Sequence, residues 1–110
     1  MKVLDILDKL GLELVSGKSG LDREITGGYV SDLLSDVMGN SKEGQVWVTL
    51  QTHKNVMAIA SLKDLAAVIL VNGFKPDDDM AKQSEEEGVP VLRTKERTYE
   101  IAGKLYELLK

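Results

Sequence analysis

The stretch "AAVILV", Ala66 to Val71, decides the fold. It is an unbroken apolar run with Asp64 before it and Asn72-Gly73 after it. Such a run fits a central strand buried on both faces, as parallel sheets require. Upstream, Gln45 to Gln51 alternates: Val46, Val48 and Leu50 face one way, and Gln45, Trp47, Thr49 and Gln51 the other. Thr52 reads as the N-cap of a helix with apolar positions Val56, Met57, Ile59, Ala60 and Leu62. Downstream, "FKPDDD" opens a polar helix over Asp78–Glu87, with acids placed to complement its dipole and Gly88 to end it. Val89–Arg93 reads as a short strand, which Pro90 places near an edge or a strand start. Thr94 then caps a last helix, Glu96–Leu109, with a buried stripe of Tyr99, Ile101, Ala102, Leu105, Tyr106 and Leu109. Strand and helix alternate three times from Gln45 onward. That order predicts an α/β fold, with a mostly parallel sheet and flanking helices.

The first half adds less regular elements. Val3 to Leu10 carries Val3, Leu4, Ile6, Leu7 and Leu10 on one helical stripe, and Gly11 stops it. Leu12–Val15 reads as a short strand, and "SGKSG" at Ser16–Gly20 as a loop. Tyr29-Val30-Ser31 is extended, and Ser31 or Asp32 can cap a short helix over Leu33–Met38. With 110 residues and no linker, repeat or low-complexity tract, residues 1–110 form a single domain by the size prior.

Composition narrows the function. A net charge of −4 without a Lys/Arg cluster argues against nucleic acid as the main partner. The absence of cysteine excludes disulfides, thiolate catalysis and Cys-based zinc sites, and suits a cytoplasmic location. The N-terminus has no apolar signal-peptide core, and no apolar run is long enough to span a bilayer. No membrane partner is expected.

Candidate chemistry is sparse. "GKSG", Gly17 to Gly20, resembles part of a phosphate-binding P-loop, but the first glycine of that loop is missing and no helix follows. The acids sit mostly in helix-surface runs such as Asp77-Asp78-Asp79 and Glu85-Glu86-Glu87. One histidine, His53, makes neither a metal site nor a triad. No catalytic residue, metal site or cofactor is expected. A small anion would sit where parallel strands end and helices begin. Thr49, Gln51, Thr52, His53 and Asn55 mark one such junction, Asn72 and Gly73 a second, and Thr94 a third. The bland reading of all of these is helix capping. Trp47, on the polar side of its strand, marks either a contact surface or a residue covered by a helix.

"DREITGG", Asp22 to Gly28, holds an Asp-Arg pair and two glycines. It reads as a structural turn, with Asp22-Arg23 as a local salt bridge or Asp22 holding turn N–H groups. Gly27-Gly28 would permit positive φ or close backbone approach.

"LDREITGGYVSDLLSDVMG" (Leu21–Gly39) resembles the signature region of DRTGG domains. Asp22, Arg23, Thr26, Gly27 and Gly28 supply the letters, and Glu24 and Ile25 intervene. "TLQTHKNVMAIA" (Thr49–Ala60) and the stretch Ala66–Tyr99 are also similar to the family. The resemblance implies a fold like the N-terminal domains of HPr kinase/phosphorylase and Mur ligases. It further implies an accessory role like that of DRTGG domains in phosphotransacetylases and CBS-domain pyrophosphatases, where the domain assembles subunits or helps regulation by adenine nucleotides. Catalysis then belongs to another domain, and the 110 residues carry no kinase P-loop, pyrophosphatase metal ligands or CBS pair. The expectation is a non-catalytic regulatory or assembly domain. Its expected partners are a second copy, a separately encoded protein or an adenine nucleotide. The rival is a stand-alone serine kinase, which lacks its P-loop here.

Overall fold

A computed structural model describes residues 1–110. Five strands form one sheet: β1 (Glu13–Ser16), β2 (Gly27–Val30), β3 (Gln45–Thr49), β4 (Ala67–Leu70) and β5 (Val91–Arg93). Their order is β1-β5-β4-β3-β2; only β1 is antiparallel to its neighbour. Helices α2 (Leu34–Asn40), α3 (Asn55–Leu62) and α4 (Asp78–Glu87) connect the parallel strands, while α1 (Val3–Lys9) precedes β1 and α5 (Thr98–Leu109) ends the chain. All three crossovers lie on one face, because right-handed connections that advance one strand at a time cannot change side. Val37, Trp47, Met57, Val68 and Met80 fill the core on that face. Val3, Ile6, Val46, Ile69, Ile101 and Leu105 fill the other, under α1 and α5.

β4 is buried throughout and lies between β3 and β5, so the apolar run is the central strand. β3 alternates as its sequence suggests, but both of its faces are covered. Val46 and Val48 face α5; Trp47 is fully buried under the crossover helices and donates its indole N–H to the Ser31 carbonyl at 2.8 Å. Trp47 is therefore covered and is not a contact surface.

Several expected positions are corrected. Of the two places offered for Pro90 the strand start is the one it takes, and β1 lies beyond β5 at the edge. Leu62 of α3 is exposed. Gly27 and Gly28 do not take positive φ. They are strand residues, and Gly28 leaves room for Leu105, whose Cδ2 would lie 3.1 Å from a Cβ there. The stripe of α5 is also split. Ile101 and Leu105 are buried, whereas Tyr99 is 85% and Tyr106 69% exposed. Residues 101, 105 and 108 repeat at i, i+4 and i+7 and face the sheet. Residues 99, 102, 106 and 109 form a second apolar stripe beside them.

Candidate functional site

The parallel strands end together, so the loops 31–33, 50–54, 71–77 and 94–97 meet along one edge of the sheet. Asp32 organises the first two. Its carboxylate accepts from the Leu50 N–H at 2.7 Å and the Thr49 hydroxyl at 2.9 Å, and its carbonyl accepts from the Gln51 side-chain amide at 2.8 Å. Neither Asp32 nor Ser31 caps α2; Ser31 Oγ accepts from the Leu33 N–H at 3.1 Å, just ahead of the helix. Nor does Thr52 cap α3. Because Asp32 draws the chain across after β3, that helix starts three residues later, at Asn55, and Thr52 gives its carbonyl to the Asp77 N–H at 2.9 Å. His53 is exposed, and its Nδ1 accepts from the Asn55 N–H at 3.1 Å. The N–H groups of Thr52, His53 and Lys54 have no acceptor within the chain.

The other loops are tied more tightly. Asn72 takes φ +59°, which asparagine tolerates better than most residues. Its N–H reaches the Glu96 carbonyl at 2.9 Å, and the Gly73 N–H reaches the Thr94 carbonyl at 2.8 Å. Thr94 Oγ1 accepts from the Glu96 N–H at 3.1 Å; it stabilises a turn ahead of α5 and does not cap that helix. The Arg93 guanidinium spans the corner, donating to Glu13 at 2.6 Å and to the Gly73 carbonyl at 2.7 Å. That hydrogen bond, with the positive charge behind it, holds the Glu13 carboxyl below its ordinary range. The eight residues singled out in the sequence therefore fall into two groups, Thr49 to Asn55 and Asn72 to Thr94, joined by the Thr52–Asp77 hydrogen bond. Asp32 and Arg93 organise them; the sequence offered Asp32 only as a cap of the following helix and did not single out Arg93. The only signal for Arg93 is its place at the end of a strand.

"DREITGG" lies at the opposite edge. Arg23 does not pair with Asp22, which is exposed and has no hydrogen-bond partner. Arg23 Nε donates to the Gly88 carbonyl at 3.0 Å, and Nη1 meets Asp64 at 3.2 Å. Thr26 donates through its N–H to the Gly44 carbonyl at 2.9 Å and through its hydroxyl to the Glu43 carbonyl at 2.8 Å. Gly44, Asp64 and Gly88 are the turns that precede β3, β4 and β5. The motif thus gathers three strand entries under the sheet.

A different feature lies at the free side of β2. Gly27, Gly28, Val30, Ala102, Tyr106 and Leu109 line a mostly apolar groove of about 540 Å³. On the other face of β2, the Tyr29 hydroxyl donates to Asp36 at 2.9 Å. This contact raises the Tyr29 pKa. The hydroxyls of Ser31 and Tyr29 and the Asn40 amide together hold Asp36 below its ordinary range. Ser31's other contact, to the Leu33 carbonyl, is a long 3.5 Å.

Residues 5–108 match the DRTGG domain family. The chain belongs to that family. HPr kinase/phosphorylase of Bacillus licheniformis is 28% identical to this DRTGG domain over 124 aligned positions, which take in 99% of the chain and 40% of that protein. The DRTGG domain thus spans less than half the length of that relative. The CBS and DRTGG domains of the regulatory region of Clostridium perfringens pyrophosphatase, solved with the activator diadenosine tetraphosphate, share its fold at a TM-score of 0.72 and 15% identity. That match covers 94% of this chain and 45% of the other. No helix of the DRTGG domain is long and apolar enough to cross a membrane.

Proposed function

We propose that this DRTGG domain is a non-catalytic regulatory and assembly domain of the cytoplasm, which holds subunits together and acts on a separately encoded partner. The observation that carries the reading is the free side of β2, where an unpaired strand edge runs beside an apolar groove with an exposed tyrosine on its rim. Apolar surface of this kind marks protein contacts. The place of a DRTGG domain in the regulatory region of a pyrophosphatase supports the same role. Sedimentation equilibrium at micromolar concentration tests it: the expected mass is twice that of the chain, and a monomer throughout contradicts assembly. Incubation with labelled ATP, magnesium and acceptor proteins is expected to transfer no phosphate. Transfer would establish the rival kinase reading, which the partial match to HPr kinase/phosphorylase keeps in view.

A second reading concerns a ligand. The pyrophosphatase neighbour binds diadenosine tetraphosphate, and the unpartnered N–H groups of Thr52, His53 and Lys54 suit phosphate oxygens. We place an adenine nucleotide at Thr49, Gln51, Thr52, His53 and Asn55, with Asn72, Gly73 and Thr94 beside it. Lys54 is the cation beside the first group, and Arg93 beside the second is engaged by Glu13 and the Gly73 carbonyl, so affinity should be roughly micromolar to millimolar. Titration with AMP, ATP and a diadenosine polyphosphate, followed by nuclear magnetic resonance, should shift Thr52–Asn55 and Asn72–Gly73. An unchanged spectrum at millimolar ligand refutes the site.

A further inference from the structure

The free side of β2 has a specific geometry. In a parallel pair, alternate residues turn their N–H and C=O groups toward the neighbour. The Ser31 N–H bonds to the Val48 carbonyl, and Tyr29 stands opposite Trp47. The odd residues of β2 therefore serve β3, and the even ones, Gly28 and Val30, present their backbone groups outward. The strand reads Gly-Gly-Tyr-Val and carries no charge, no proline and no bulge. Those are the devices by which natural edges avoid pairing.

The helix above this edge is unusual in the same place. Tyr99, Ala102, Tyr106 and Leu109 are spaced three, four and three residues apart, the a/d spacing of helices that pack on one another. Both tyrosines are exposed.

We propose that the occupant of this surface is a second copy of the chain, related by a two-fold axis. The proposal rests on the assembly reading above and names its interface. Antiparallel pairing of β2 with its copy, Gly28 opposite Val30 of the second copy and the reverse, satisfies all four outward backbone groups on each strand. The axis then passes through Tyr29. Leu105 reaches back along its helix to cover Gly28, so the axis meets α5 near Ala102, which lines the groove with Tyr106. The small Ala102 falls at the helix crossing, and each Tyr99 comes beside Tyr106 of the second copy. The same surface supplies both the projections and the notch, as an isologous interface requires. α5 lies beside the free edge, over β2 and β3, so pairing the two edges brings the α5 helices of the two copies alongside each other. The result is a ten-stranded sheet with an α5 pair across its middle.

Ala102→Lys is the decisive variant, because lysine keeps the helix in a monomer but fills the groove where the copies meet. Tyr106→Glu, at an exposed position, is the second. Sedimentation equilibrium should show a dimeric wild type, with dimerisation weakened roughly tenfold or more in each variant, the effect of losing a well-packed anchor. Circular dichroism should show both variants folded. A dimer that persists unchanged in both overturns this interface and leaves the assembly reading standing. A wild type that stays monomeric at hundreds of micromolar overturns both.

Discussion

The two edges of the sheet are finished in opposite ways. The β1 edge is closed by the chain itself. Its register shifts between Leu14 and Ser16, a bulge that discourages further pairing. The buried Ser16 hydroxyl donates to Ser84 Oγ at 2.9 Å, which in turn donates to the Val89 carbonyl at 2.6 Å. The Gly17 N–H is capped by Glu85 at 2.6 Å, and Glu13 holds Arg93. The β2 edge has none of these. Its backbone is open, its residues are small or apolar, and its rim carries exposed aromatics. One edge is a bulged strand tied into the fold by side chains; the other is a regular strand beside an apolar groove, where we propose that a second copy docks.

Substitutions can break this comparison. Leu105→Ala should have the largest effect. Leu105 is 2% exposed and covers Gly28, so its removal leaves a cavity under α5. A loss of about 2–5 kcal/mol in urea unfolding is expected; a smaller loss would mean that α5 collapses onto β2. Ser84→Ala acts at the closed edge. It strands the buried Ser16 hydroxyl and the Val89 carbonyl, and should cost about 1–3 kcal/mol by the same measurement. A neutral result would show that the serine chain does not seal that edge.

The pH dependence sharpens the contrast. Tyr29 has a raised pKa through Asp36. Its neutral form is the stabilised one, so the contribution is fully present below the ordinary tyrosine range and is lost as pH rises through the folded value. Asp36 and Glu13 are lowered, so theirs are present above the ordinary carboxylate range and are lost as pH falls through their folded values. The Tyr29 alkaline component thus lies on the β2 side, while Asp36 and Glu13 put an acid component on each side. Urea midpoints across pH should lose the Tyr29 alkaline component in Tyr29→Phe and keep the Glu13 acid component. An unchanged alkaline limb contradicts the assignment. Glu13→Gln should have the smallest effect, since its exposed pair with Arg93 contributes little at neutral pH. Its urea midpoint at pH 7 should fall only slightly below the wild type, and a large drop would show that the ion pair is a main tie of the closed edge.

Much of this fold was legible because its signals are local. "AAVILV" is the central strand, and α4 runs from Asp78 to Glu87 with Gly88 left-handed at its end, as the acids and the glycine indicate. Where two patterns overlap, spacing could not choose. In α5 both 101/105/108 and 99/102/106/109 are apolar at helical intervals, and only the sheet decides which is buried. Trp47 could not be placed because its cover, α2 and α3, comes from other parts of the chain. Of the candidate site, the polar residues at the strand ends were legible as turn and cap chemistry. Asp32 and Arg93, which position them, were not, since their partners lie 17 to 20 residues away and further. The antiparallel β1 depends on pairing Glu13 with Arg93, and no local pattern encodes that contact.

Amide hydrogen exchange tests most directly whether the bare edge is a contact between copies. The N–H groups of Gly28 and Val30 point away from their own sheet, so in an isolated chain they exchange freely. The account predicts that their protection rises with protein concentration, while the N–H of Gly17, capped by Glu85 within the chain, stays equally protected throughout. Fast exchange at Gly28 and Val30 at every concentration would contradict it.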